Sequence, residues 1–266
     1  ATGRERRVIR FCSLGSGSTG NATVVEASGG ITTTRLLVDA GFSLRELELR
    51  LARAGLEATD LDAVFVTHEH SDHIGCAIAF AEKHRLAVWM SRGTWRAIGE
   101  QAVPERLGFV RDGERVALGD LELTPFTVAH DAAEPLQLRC SDGNASVGVL
   151  TDLGSITEHM LDGVRGVDAL VLECNHDEAM LAESRYPPSL KARIGGRYGH
   201  LSNATAVELL ASGIAASLRH LVGAHLSREN NRPEIVRSAL AACWGSSEDD
   251  VVIADPLLGC PWLQVG

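Results

Sequence analysis

Along the first half of the chain the hydrophobic positions fall into short runs separated by Gly and Asp turns: VIRFCSL, ATVVEA, RLLVDAG and DAVFVT, then RLAVWM, LELTPF, LQLRC and ASVGVLTD. Runs of this length and residue type predict strands. Helical spacing appears between them, in SLRELELRLARAG after Asp39 and in Ile74, Ala77, Ile78 and Ala81, which share one face at i, i+3, i+4 and i+7. The second half repeats the order, with DALVLEC and RHLVGA as strands and SNATAVELLASG and RPEIVRSALAACW as helices. Asn231, with Glu234 three residues on, is the expected N-cap of the last helix. Two comparable sets of strands and helices predict an α+β chain of two packed sheets with helices outside. No Pro-rich or Ser-rich linker and no repeat divides residues 1–266, so a single domain over that span is expected.

Composition narrows the class. A chain that is 45% hydrophobic and 23% charged is neither disordered, collagen-like nor a coiled coil. Its formal charge of −10 has the wrong sign for a surface that coats nucleic acid, so any polyanion contact must be local. The start, ATGRERRVIRF, is basic without an apolar segment behind it, and no run of about 18 apolar residues follows. The six cysteines are scattered singly and read as small buried hydrophobes in a reducing compartment. A cytoplasmic protein without a membrane partner is therefore expected; oligomeric state stays open.

Two motifs carry chemistry. Gly15 to Gly20 spell G-x-G-x-x-G with Asp39 about twenty residues on, the letters of a dinucleotide site. That site needs a helix after the glycines, whereas NATVVEA continues as a strand, so a tight hairpin loop is expected instead. Such a loop can still face an anion beside an active site, through its amides and through Ser16, Ser18 and Asn21. The stronger motif is His68-Glu69-His70-Ser71-Asp72-His73, at the turn from DAVFVT into a helix. A lone His is ordinarily a hydrogen-bonded surface residue, as expected for His84 and His159, but imidazoles and a carboxylate packed this densely suit zinc, manganese or iron.

Thr67 to His73 resembles the T-H-x-H-x-D-H signature of the metallo-β-lactamase-fold hydrolases, and the likeness extends over almost the whole chain. The resemblance implies an αββα sandwich with a dinuclear site at one edge of the sheets. It implies that His68, His70 and His130 hold one divalent ion, that Asp72, His73 and His225 hold the other, that Asp152 bridges, and that Asp39 supports the ligand loop. LGSGSTGN, LVLECNHDEAML, RIGGRYGHLSN and HLSRENN are most similar to the YycJ/WalJ-type group, and more distantly to tRNase Z and RNase J. That likeness implies a phosphodiesterase or nuclease, exonuclease-like, acting on DNA or RNA. Asp72 or Asp152 would take a proton from the attacking water, while His200, and with less support His176, would serve as general acids. The stretch from Arg185 to Gly199 carries four basic and no acidic residues; Arg193, Arg197 and Tyr198 in it are candidate contacts to a phosphodiester substrate. Two alternatives keep the fold: a carbon-ester hydrolase acting on a lactone or thioester, and a non-catalytic metal-binding scaffold.

Overall fold

The computed structural model describes residues 7–99 and 105–266, and the basic residues at positions 1–6 lie outside them. Two seven-stranded sheets form the centre. The first runs β14 (Leu263–Val265), β1 (Val8–Gly15), β2 (Ala22–Ser28), β3 (Thr33–Val38), β4 (Ala63–Phe65), β5 (Ala87–Met90), β6 (Leu107–Phe109). The second runs β13 (Val251–Ile253), β12 (His220–Ala224), β11 (Ala169–Glu173), β10 (Ser146–Leu150), β9 (Leu136–Ser141), β8 (Leu121–Thr127), β7 (Val116–Leu118). Both are mixed: β3 to β6 and β10 to β13 are parallel, and the other pairings are antiparallel.

Alternate residues of each strand feed different layers of core. From β2, Val25 and Ala27 face the opposite sheet while Val24 faces the helices; from β11, Ala169 and Val171 face inward while Leu170 and Leu172 face out. Strands buried on both faces read as continuous apolar runs, which is why DALVLEC and RHLVGA look as they do. Outside the first sheet lie α1 (Leu44–Arg53), α3 (Ala77–His84) and α4 (Arg92–Ala97), contributing Leu47, Leu51, Phe80 and Trp95. Outside the second lie α5 (Glu158–Val164), α8 (Asn203–Ala211) and α9 (Pro233–Trp244), contributing Met160, Leu209 and Leu240. The order is the expected αββα sandwich.

The structure corrects the local reading in two places and adds to it in a third. The helical face from Ile74 to Ala81 is split into α2 (Ser71–Ile74) and α3, because Gly75 packs so tightly on Ala40 that a Cβ there would lie 2.3 Å from the Ala40 carbonyl oxygen. Asn231 does not cap α9, whose N-cap is Arg232; the Asn231 side chain is turned inward to Asn203 and the Cys174 carbonyl. The basic stretch contains a short helix, α7 (Pro188–Ile194), preceded by α6 (Glu178–Glu183). Gly15 to Gly20, by contrast, form the predicted hairpin connection, since β1 and β2 pair antiparallel across it.

Candidate metal centre

The polar residues of the site leave the carboxyl ends of neighbouring strands. β3 ends before Asp39, β4 leads through Val66 and Thr67 into His68, β10 precedes Asp152, β11 ends on Glu173 and β12 precedes His225. Asp39, Asp152 and His225 have φ of 61°, 59° and 53°, the left-handed region that non-glycine residues seldom occupy. This turn of the backbone brings each side chain back over the sheet edge, and such strain concentrates at functional sites. Gly41 completes the seating of the histidine loop: a Cβ on it would lie 1.7 Å from the Asp72 carbonyl oxygen.

Two donor groups converge there. In the first, His68 Nε2 and His130 Nε2 lie 3.1 and 3.2 Å from His70 Nδ1. His130 Nδ1 is 3.0 Å from the Gly199 carbonyl, an acceptor that keeps a proton on Nδ1 and turns Nε2 to the group. In the second, Asp72 Oδ2 lies 3.5 Å from His225 Nε2 and 3.8 Å from His73 Nε2. Asp152 stands between the groups: Oδ2 touches His73 Nε2, and Oδ1 lies 2.8 Å from His225 Nδ1 and 3.0 Å from His200 Nδ1. Behind them the Asp39 carboxylate accepts from the Thr67 amide at 2.8 Å and from His73 Nδ1 at 2.7 Å, fixing the imidazole with Nε2 forward.

These atoms fit metal better than they fit one another. Asp152 Oδ2 and both ring nitrogens of His225 are buried without a hydrogen bond although charged groups stand within contact distance, which leaves polar atoms for a ligand that the protein itself does not supply. Each of the sets His68–His70–His130, His68–His73–Asp152 and Asp72–His73–His225 has ligand atoms all within 4.8 Å, and N and O donors of this kind suit divalent transition metals. The electrostatics agree. Burial works against charge on His73, but Asp152 and Asp39 outweigh it and lift its pKa to about 10. His225 is likewise raised, by Asp152 above all, and Asp152 is held far below the usual carboxylate range by His225 and His73 despite its burial. His68 and His130 are pushed down by burial.

Sequence reasoning missed Glu173. This fully buried carboxylate accepts from His200 Nδ1 at 2.7 Å and from the Leu153 amide at 2.8 Å, and it stays ionised with its pKa lowered to about 2, the cost of burial being outweighed by His200. A charge ending the apolar run ALVLE was the available signal, because buried carboxylates are almost always paired. His200, pulled up to about 10 by Glu173 and Asp152 against its burial, keeps Nε2 free among the described residues.

His200 lines a cavity of about 330 Å³ over the donor groups, together with Ser18, Asp72, Asp131, Asp152, Arg193 and His225. Arg197 and Tyr198 are exposed beside one another next to it. Three expectations do not hold. Ser16 and Asn21 do not face the cavity: both are 4% exposed, Ser16 Oγ accepting from the His225 amide and Asn21 reaching the Asp72 carbonyl and His73. His176 is 3% exposed and does not line the cavity; its carbonyl accepts from the Asn203 amide at the start of α8. Of the histidines set aside, His159 is exposed beside Asp112, and His84 is partly buried against Glu48 at 2.9 Å.

Residues 34–222 match the model of the beta-lactamase superfamily domain. The chain is 37% identical over 236 residues to exodeoxyribonuclease YycJ of Bacillus anthracis, covering 88% of each, and 32% identical over 237 residues to exodeoxyribonuclease WalJ of Streptococcus pneumoniae, covering 87% of each. Among solved structures, the metallo-beta-lactamase fold protein YhfI from Bacillus subtilis superposes with a TM-score of 0.74 at 18% identity, over 97% of this chain and 100% of that one. The matched span contains His68, His70, Asp72, His73, His130 and Asp152, the same residues that the fold gathers at the sheet edge, and the chain belongs to the beta-lactamase superfamily.

Proposed function

We propose that the protein is a metal-dependent exodeoxyribonuclease, with residues 1–266 working as one hydrolase domain. The observation that carries this reading is the pair of donor groups sharing Asp152 beneath a cavity that also presents Arg193, joined to two relatives that are exodeoxyribonucleases by name. His68, His70 and His130 would hold one divalent ion and Asp72, His73 and His225 a second, with Asp152 between; zinc, manganese and iron all accept this donor set. Bound there, such ions supply Lewis-acid polarisation of phosphoryl oxygens and acidify the attacking water. Asp72 or Asp152 would receive the water's proton. His200, held by Glu173 with Nε2 free among the described residues, would protonate the leaving oxygen. Arg193 offers a guanidinium to the phosphate chain, and Arg197 and Tyr198 offer a cation and a stacking face at the rim. With a charge of −10 on the whole chain, contact with nucleic acid must be local, and this region would supply it.

The test is hydrolysis of single-stranded oligodeoxynucleotide by metal-loaded protein, beside a lactone and a thioester. Progressive loss of terminal nucleotides, abolished by chelation, is expected. Turnover of the carbon esters with intact DNA would replace this reading.

A further inference from the structure

Asp131 follows His130 and stands at the mouth of the cavity, and no motif pointed to it. Its Oδ2 accepts from Arg193 Nε at 2.7 Å, while Oδ1 lies 3.5 Å from His130 Nε2 and 4.0 Å from His70 Nε2. Arg193 belongs to α7, none of whose residues is buried, and its side chain is 63% exposed. An arginine on so open a helix ordinarily samples many rotamers; here the carboxylate fixes it through Nε. Among the described residues no acceptor is matched to Nη1 or Nη2, so the edge that grips phosphate oxygens in a bidentate way is left free. Ser18 also lines the cavity, and the amides of Ser18 and Thr19 are matched to no acceptor among the described residues. The Asp131 carboxylate stands between the guanidinium and the His130 ring, so Arg193 is held off the donor cluster by the width of a carboxylate.

We propose that Asp131 is a positioning residue that presents Arg193 to the phosphate neighbouring the scissile one, so that the pair selects polynucleotides over small phosphodiesters. This rests on the nuclease reading of the site.

The test compares Asp131→Asn, Arg193→Ala and the double variant, metal-loaded, on a single-stranded oligodeoxynucleotide and on bis(4-nitrophenyl) phosphate, which has no neighbouring phosphate. Each single variant is expected to raise KM for the oligonucleotide about tenfold with kcat kept, a loss well above that on the aryl ester. The dependence of log KM on log salt should lose about 0.7 of slope, the value of one phosphate contact to a single strand. The double variant should be no worse than Arg193→Ala. Additive losses, equal losses on both substrates, or a fall in metal content would overturn the proposal. If wild-type protein cleaves the aryl ester but not DNA, the nuclease reading fails by itself; oligonucleotide binding then judges the pair, and affinity unchanged in both single variants overturns it.

Discussion

Asp39 joins backbone and chemistry in one residue. Its left-handed φ of 61° aims a buried carboxylate at Thr67 and His73, and that carboxylate fixes which nitrogen of His73 faces Asp152. Removing an outer support of this kind ordinarily costs about 10- to 100-fold in metal affinity or activity. Asp39→Ala should lose that much affinity in a chelator competition while remaining folded by circular dichroism, and unchanged affinity would show that His73 is oriented without it. At this scale the sequence was legible where residues cluster or close a strand. His68, His70, Asp72 and His73 crowd one turn, and His130, Asp152 and Asp39 each close an apolar run. Glu173 was hidden because nothing in its neighbours announces that His200 arrives beside it from 27 residues away. Ser16 and Asn21 misled because a hairpin connection can turn a hydroxyl or an amide either way, and here the His225 backbone and the Asp72 carbonyl claim them.

Among the elements, long strands buried on both faces announced themselves, and short edge strands did not. β6, β7, β13 and β14 have three residues each, too few for a periodic signal, and they exist because a longer neighbour offers them a ladder. The break between α2 and α3 was invisible for a similar reason, since the contact of Gly75 with Ala40 joins segments that only the fold brings together. Gly41 makes the same point as a prediction. A methyl group there would overlap the Asp72 carbonyl, and relieving it would move the strand end or the ligand loop. Overpacking of this sort costs about 1–3 kcal/mol. Gly41→Ala should therefore lower Tm and bound metal together, as followed by calorimetry and elemental analysis; a normal Tm with full metal content would mean that the loop has slack.

Over the whole molecule, an acidic chain sets Arg193 at the wall of one cavity with the candidate donor atoms beneath it. Its two sheets bring Asp152 and His225 from one side against Asp72 and His73 from the other, so the centre exists only when both sheets are packed. With His73 lifted to about 10 by Asp152 and Asp39, and His225 raised by Asp152, both proposed ligands are protonated to imidazolium at neutral pH in the metal-free protein. Cations must displace protons to bind, so affinity should climb as pH rises through the neutral range and binding should acidify a weakly buffered solution. A metal affinity that is flat in pH, with no proton release, would contradict that balance.

On the proposed function, Asp152 would tie the two donor groups into one two-ion centre. The most direct measurement is elemental analysis of metal-loaded, desalted protein, wild type beside Asp152→Ala. Two divalent ions per chain are predicted for the wild type, with a clear shortfall in the variant. One ion or fewer in the wild type, or a full pair retained without the Asp152 carboxylate, would contradict it.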